Sequence, residues 1–144
     1  MASRPFWRDV AFAIALLAGV VCWIALWLVG QPLAGPPAWL LLAQLVFLMP
    51  VLEEIVFRGG IQAALQTKRP FQSQLCGISV ANVLTSVVFA SMHLISQPPL
   101  WAVLVFFPSL VFGWAKDRYN SIVPSVILHA FYNAGFVWLF VAPA

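Results

Sequence analysis

Five long apolar runs constrain the fold of this chain more than any other feature of its sequence. They extend over Val10–Val29, Ala38–Leu65, Leu75–Leu94, Leu100–Ala115 and Ile122–Val141. A helix needs about 20 apolar residues to cross the hydrocarbon core of a bilayer. The sequence therefore predicts an all-α fold, a polytopic transmembrane helix bundle of about five spanning helices.

The composition argues against a water-soluble fold. Of the 144 residues, 63% are hydrophobic and 8% are charged, whereas soluble domains are about 45–50% apolar and about 25% charged. Five spans use almost the whole length, so we expect a single transmembrane domain over residues 1–144. The second run is longer than one crossing, and we expect its end, Arg58–Thr67, to form a short interfacial helix.

The distribution of charge indicates how the spans are oriented. The chain has a formal net charge of +3, but its basic residues are not gathered on one stripe, so we expect no nucleic-acid partner. Lys and Arg favour cytoplasmic loops. Here they fall on alternate connections, at Arg4 and Arg8, Lys68 and Arg69, and Lys116 and Arg118. This pattern predicts a cytoplasmic N-terminus, an external C-terminus and five crossings.

The second run contains three ionisable residues close together. An ionisable side chain at the centre of a spanning helix costs about 2.5–3.5 kcal/mol on insertion scales, so it needs a partner or a task. Glu54 and Arg58 are spaced i, i+4 and can pair along one helix face. Glu53 is displaced around the helix and, desolvated beside a like charge, is suited to act as a general base. Pro50 removes a backbone hydrogen bond one turn earlier and is expected to kink the helix.

Two further runs each carry a histidine in a group with one-turn spacing. Phe89 and His93 are spaced i, i+4 in the third run, and His129 and Asn133 have the same spacing in the fifth. Two donors on one helix face can converge on a single oxygen. Each group also has a structural explanation, since a salt bridge can lie near the headgroups and polar side chains can join two helices. Three such groups in a chain with few charges favour one shared site.

The depths of Glu53 and His93 do not agree in a straight-helix arrangement. If the third span begins near Ser79, His93 lies about 21 Å from its cytoplasmic end. Glu53, near the exit of the second span, is expected closer to that side. Tilt, the Pro50 kink, a late start of the third span or a re-entrant Ile95–Pro99 loop would be needed to bring the two residues level.

The order and spacing of three motifs are similar to those of a known family. Glu53-Glu54-x-x-x-Arg58, Phe89-x-x-x-His93 and His129-x-x-x-Asn133 resemble the CPBP family of CAAX-prenyl-protease-like and bacteriocin-processing membrane proteins. The resemblance covers about residues 40–136. It implies a glutamate-dependent intramembrane endopeptidase that needs no cofactor and cleaves a membrane-associated peptide.

The resemblance also implies a role for each motif residue. Residues matching Glu53 and His93 would activate a water molecule, and those matching His129 and Asn133 would stabilise the oxyanion. Glu54 and Arg58 would orient and tune Glu53. With its short chain the sequence looks more similar to small bacterial members of the family than to the longer eukaryotic ones. Some of the small members process C-terminal membrane-anchoring sorting signals, and the resemblance implies the bacterial inner membrane.

Two other functions stay open at this point. A zinc-dependent membrane peptidase is one, because two His and a Glu are legitimate zinc ligands. Against it, the chain lacks His-Glu-x-x-His, and Cys22 and Cys76 lack the paired spacing of a metal site, so we expect no metal. The other is a noncatalytic immunity or scaffold protein that keeps the polar groups for helix packing.

Overall fold

Helices make up almost all of the chain. The computed structural model describes residues 5–29 and 39–140 and is 85% helical, which confirms the predicted all-α class. Arg4, Ala38 and Val141 lie outside the described residues. The chain forms two compact units, Leu52–Val126 and a second unit made of Met1–Val51 and Ile127–Ala144.

The five longest described helices correspond to the five apolar runs. A 3-10 turn at Phe6–Arg8 precedes the first helix. The elements are α1 (Val10–Val29), α2 (Trp39–Gln66), α3 (Arg69–Gln72), β1 (Gln74–Leu75), β2 (Ile78–Ser79), α4 (Val80–His93), α5 (Pro99–Tyr119) and α6 (Val123–Phe140). Of the described helices, α1, α2, α5 and α6 are long and apolar enough to cross a membrane. The apolar α4 has 14 residues and a length of about 21 Å, against a hydrocarbon core of about 30 Å.

The second helix runs further than the sequence analysis predicted. Arg58–Thr67 does not emerge as a separate interfacial helix, because α2 continues to Gln66 and both Arg58 and Gln62 are fully buried. Within α2, the segments Gln44–Leu48 and Ile55–Gln62 are π-helical. The short helix that leaves the span is α3, which follows Lys68.

The third apolar run also begins differently from the prediction. Its first residues form an antiparallel hairpin in which Leu75 pairs with Ile78. Cys76 and Gly77 at the turn have φ of 52° and 80°, as the tightest hairpin turns require. The helix therefore starts only at Val80, where the Ser79 hydroxyl accepts a hydrogen bond from the backbone N–H of Asn82 at 3.0 Å.

In the unit that contains both ends of the chain, α1 packs on α6 through aromatic side chains. The indole of Trp23 donates to the carbonyl of Tyr132 at 3.1 Å, and the hydroxyl of Tyr132 donates to the carbonyl of Ala15 at 2.8 Å. The Tyr132 ring faces Gly19 and the Trp23 ring faces Gly135, where a Cβ atom would collide with them. Small residues thus make room for the bulky ones, as is common between membrane helices.

In the unit Leu52–Val126, α2 and α5 are joined by polar contacts that repeat every four residues. Arg58 donates to Ser109, Gln62 donates to the carbonyl of Gly113 at 3.0 Å, and Gln66 donates to Asp117. The residue numbers of the partners increase in the same direction along both helices, so α2 and α5 run parallel. The contacts fix the register of the two helices to one turn.

Gly113 lies at the most crowded point of this unit. A Cβ atom there would overlap the side-chain amide of Asn82 from α4 and lie 2.8 Å from Gln62 Oε1 of α2. We expect Gly113→Ala to destabilise the protein by about 1–3 kcal/mol or more, because overpacking forces these side chains out of place. The measurement is loss of helicity during titration with SDS in mixed micelles.

Gly60→Ala is the matched control for this substitution. Gly60 is a helical glycine of the same unit, and a Cβ atom there would meet only the carbonyl of Ile55 at 3.7 Å. Alanine is the better helix former, so Gly60→Ala should match or exceed the wild-type stability. Equal behaviour of the two variants would contradict the packing described for Gly113.

Candidate active site

The centre of the unit Leu52–Val126 holds a buried ion pair. Arg58 Nε lies 3.2 Å from Glu54 Oε2, and both side chains are fully buried. Arg58 Nη2 donates to the Ser109 hydroxyl at 2.7 Å and to the Ser109 carbonyl at 2.9 Å. The guanidinium carbon lies 5.4 Å from the centre of the Phe89 ring. The predicted i, i+4 pair is therefore confirmed, and it lies inside the protein rather than beside the headgroups.

The Phe89 ring connects this ion pair to His93. It meets Phe57 edge-on at 4.9 Å between ring centres and lies 4.7 Å from the His93 ring. Phe89 is almost fully buried. Glu54, Arg58, Phe89 and His93 thus form one continuous set of contacts.

Glu53 and His93 lie at similar depths along their helices. Glu53 is 13 residues before Gln66, the end of α2, and His93 is 14 residues after Ser79, which caps α4. Asp117 accepts hydrogen bonds from both Gln66 and Ser79, so these two ends share one level. At 1.5 Å per residue both Glu53 and His93 lie about 20 Å from that level. The mismatch expected from the sequence disappears because α2 extends further than predicted.

The hydrogen bond of His93 fixes which ring nitrogen carries a proton. His93 Nδ1 lies 2.9 Å from the carbonyl oxygen of Phe89. A carbonyl oxygen can only accept, so Nδ1 must be the protonated nitrogen. In the neutral ring Nε2 then carries a lone pair and can accept a proton. His93 is accordingly a half-buried base.

Two other polar groups near the ion pair are able to bind water. In the part of the chain that the structure describes, Arg58 Nη1 and Thr85 Oγ1 are buried and have no protein hydrogen-bond partner. Buried polar groups of this kind are commonly satisfied by ordered water. Thr85 lies one turn before Phe89 on α4. Arg58 Nη1 and Thr85 Oγ1 are thus two buried polar atoms with which a water molecule can form hydrogen bonds.

Asp117 makes a buried polar connection between helices that the sequence motifs did not predict. Its Oδ1 accepts from Gln62 and Gln66, both at 2.6 Å, and its Oδ2 accepts from the Ser79 hydroxyl at 2.6 Å. The side chain of Asp117 is 4% exposed and lies 3.5 Å from Lys116 Nζ. The carboxylate therefore ties the ends of α2 and α5 to the start of α4.

His129 and Asn133 belong to the other unit, which includes Met1–Val51 and Ile127–Ala144. His129 is 4% exposed, and Asn133 is half-buried on the same helix. Their one-turn spacing on α6 is as predicted. Their convergence with Glu53 and His93 on a single site stays a prediction.

The Asn133 side chain compensates for the proline in α2. The backbone N–H of Met49 donates to the carbonyl of Gln44 in a π-helical turn, and Pro50 has no N–H to donate. The carbonyl of Leu45 instead accepts from Asn133 Nδ2 at 2.9 Å. One of the two amide hydrogens of Asn133 is thereby used, and the other is not needed for this contact.

The described residues contain no group of three or more His, Cys, Asp or Glu side chains placed to hold a metal ion. Cys22 and Cys76 are both free thiols. The ionisable groups described near Phe89 in the unit Leu52–Val126 include the carboxylate of Glu54, the imidazole of His93 and the guanidinium of Arg58. Such groups can activate water and transfer protons.

Comparison with known protein families gives a match over most of the chain. A family model described as Rce1-like, type II CAAX prenyl endopeptidase, matches residues 35–135. This segment contains all three sequence motifs and more than half of the chain. Neither the curated proteins nor the solved structures contain a match.

The buried ion pair predicts a large effect of removing one partner. Arg58→Met leaves the Glu54 carboxylate buried without its guanidinium, which should cost about 3–5 kcal/mol. The double variant Glu54→Gln with Arg58→Met removes both charges and should recover part of that loss. Stability is measured by SDS titration of the purified variants.

Arg69→Met serves as the control for this pair of variants. Arg69 is exposed on α3, so its substitution should change stability by about 0.5 kcal/mol or less. A double variant less stable than Arg58→Met alone would contradict the assignment of a coupled buried pair.

Proposed function

Because the chain belongs to the Rce1-like family of type II CAAX prenyl endopeptidases, we propose that it is a glutamate-dependent intramembrane endopeptidase that cleaves a membrane-associated peptide. The family is a protease family, and four described helices have the length and composition of membrane spans. The observation that carries the proposal is the buried Glu54–Arg58 pair beside Glu53, on a helix packed against the one that ends in His93.

Glu53 and His93 are the proposed proton acceptors. Arg58 forms an ion pair with Glu54 at 3.2 Å, and we assign the role of base to the half-buried Glu53, the preceding residue on α2. His93 contributes Nε2, the nitrogen that does not face the Phe89 carbonyl. A water molecule between these groups loses a proton to one of them as its oxygen attacks the peptide carbonyl carbon.

His129 and Asn133 are the proposed donors to the oxyanion that this attack creates. Their one-turn spacing suits convergence on a single oxygen, and Asn133 keeps one amide hydrogen beyond that given to Leu45. Collapse of the tetrahedral intermediate breaks the C–N bond. The leaving amine takes up the proton that Glu53 or His93 accepted, which restores the base.

The depth of Glu53 limits the substrate. Glu53 lies near the midpoint of the 28-residue helix α2, about 20 Å from its Gln66 end. A scissile bond that reaches it must enter the hydrocarbon core. The proposed substrate is therefore a peptide with an apolar flank, such as a C-terminal sorting or anchoring signal in a bacterial inner membrane.

The proposal predicts that Glu53→Gln abolishes cleavage while the protein still accumulates. A general base contributes about 10²- to 10⁴-fold to rate, and His93→Ala and His129→Ala should have comparable effects. The measurement compares membrane-protein C-termini by mass spectrometry in cells that carry wild type or variant. Intact apolar tails should accumulate in the variants.

Ser91→Ala is the control from the same helix end as His93. The Ser91 hydroxyl is exposed and donates only to the Val87 carbonyl of its own helix at 2.8 Å, so cleavage should continue at the wild-type rate. An unchanged set of C-termini in Glu53→Gln would instead support a noncatalytic scaffold. Loss of the protein in the variant is checked by immunoblotting.

A metal-independent mechanism predicts resistance to chelation. Extended dialysis of the purified protein against a strong chelator should leave the cleavage rate unchanged, because the proposed bases are Glu53 and His93 alone. The measurement is cleavage of a reconstituted substrate together with metal analysis of the same sample. Activity that is lost on dialysis and restored by zinc would favour the zinc-dependent alternative.

A further inference from the structure

A column of fully buried polar side chains runs through the unit Leu52–Val126. These residues lie on α2, on α4 with its cap and on α5, and they are Glu54, Arg58, Gln62, Ser79, Asn82, Thr85, Ser86 and Ser109. We infer that this buried polar column binds a file of water molecules, which leads from the Asp117 end of the unit to the depth of Glu53 and His93. The file supplies the water that hydrolysis consumes.

The column begins where α2 and α5 end and α4 starts. Asp117 accepts hydrogen bonds there from Gln66 and from Ser79, both at 2.6 Å. The residues that follow Gln66 include Lys68 and Arg69, and both are exposed. Basic side chains at the end of a span lie on the aqueous side of the boundary. Water is therefore available at this end of the column.

The first water site is at Gln62, one turn further in. Gln62 Nε2 donates to the Gly113 carbonyl at 3.0 Å and to Asp117 Oδ1 at 2.6 Å, so the other end of the amide must be the oxygen. In the described part of the chain, this Oε1 atom has no hydrogen-bond partner. It lies close to Asn82 Oδ1, which already accepts from Ser86. Gln62 Oε1 needs a donor, and a water molecule supplies one.

The next two sites are at Thr85 and Arg58. Thr85 Oγ1 and Arg58 Nη1 are buried and lack a hydrogen-bond partner among the described residues. Thr85 lies on α4 between Asn82 and Phe89, three and four residues away, and the Phe89 ring contacts Arg58. A guanidinium N–H can only donate, whereas a hydroxyl can donate and accept. Water does both and can join these groups to each other.

The three sites are spaced at the distance that a file of water requires. Gln62 and Arg58 lie four and eight residues before Gln66, and Thr85 lies six residues after Ser79. At 1.5 Å per residue, the backbone levels of Gln62, Thr85 and Arg58 are about 6, 9 and 12 Å from the Asp117 end. Successive steps of about 3 Å are close to the length of one hydrogen bond.

The ion pair continues the column towards Glu53. Phe89 is 1% exposed and fills the face of α4 between Thr85 and His93, so the polar groups at this level are those of α2. Arg58 Nε lies 3.2 Å from Glu54 Oε2, and Glu53 is the next residue. The hydrocarbon around the protein contains no water, which makes an internal supply necessary. The supply role rests on the proposed function, whereas the water sites do not.

Hydroxyl-radical footprinting by X-ray radiolysis in nanodiscs tests for the water itself. Radicals formed from bound water oxidise neighbouring side chains, so Phe89 should be oxidised although it is 1% exposed. Thr85→Val keeps the shape of the side chain and removes its hydroxyl. We expect it to lower Phe89 oxidation about fivefold, because a buried water needs about two to four polar partners. Thr85→Ser should retain the wild-type level.

Thr67→Val is the matched control for this substitution. The Thr67 hydroxyl is exposed and donates to the Ala64 carbonyl at 2.8 Å, so Phe89 oxidation should stay within about 1.5-fold of wild type. Phe12 of the other unit, 4% exposed, gives the background for a buried ring. Equal losses in Thr85→Val and Thr67→Val would overturn the inference. Wild-type oxidation of Phe89 no higher than that of Phe12 would also overturn it, and this comparison needs no variant.

Cleavage kinetics test whether the file supplies the reaction. Thr85→Val should lower kcat about three- to tenfold and leave KM unchanged, because the supply of water affects the chemical step and not substrate binding. Thr85→Ser should restore kcat. An unchanged kcat in Thr85→Val, together with the loss of Phe89 oxidation, would overturn the supply role. Oxidation of Phe89 in wild-type protein that cleaves no substrate would instead refute the proposed protease function, so the two failures are distinguishable.

Discussion

The parallel contact between α2 and α5 is the interaction on which the rest of the unit Leu52–Val126 depends. The hydrocarbon core of a bilayer contains no water that could form hydrogen bonds with a polar group. Each buried polar side chain therefore needs a partner within the protein. Arg58, Gln62 and Gln66 find theirs one helical turn apart on α5. A slip by one turn would separate all three from their acceptors at once. The polar contacts therefore define a single register between α2 and α5. Apolar packing alone would tolerate several registers.

The presence of the helices could be predicted from the sequence, but the end of α2 and the start of α4 could not. Runs of apolar residues located the four long helices and the shorter α4, because segments that lie in hydrocarbon must be apolar. The hairpin at Leu75 was missed because its turn depends on two residues with positive φ, which an apolar run conceals. The end of α2 was missed because Arg58 was expected to mark the surface, whereas its partners Glu54 and Ser109 allow it to lie inside.

The site was predictable where partners lie on one helix and not where they lie on two. The spacing alone predicted the ion pair between Glu54 and Arg58, since residues at i and i+4 are neighbours on the surface of any α-helix. Ser109 and Asp117 depend on the register between helices, which no local pattern specifies. A signal was nevertheless present: Glu54, Arg58, Gln62 and Gln66 form a polar row with a period of four in an otherwise apolar helix. Asp117 was overlooked because it stands between Lys116 and Arg118 and resembles a loop residue.

The short length of α4 has a consequence for the surrounding lipid. With 14 residues, this helix is about 9 Å shorter than an average hydrocarbon core is thick. Acyl chains next to it must compress or splay to avoid exposing their ends, a form of hydrophobic mismatch. The bilayer beside His93 should accordingly be thinner and more easily hydrated than elsewhere. The protein would then favour thin membranes, and its local environment would depend on the acyl-chain length of the host.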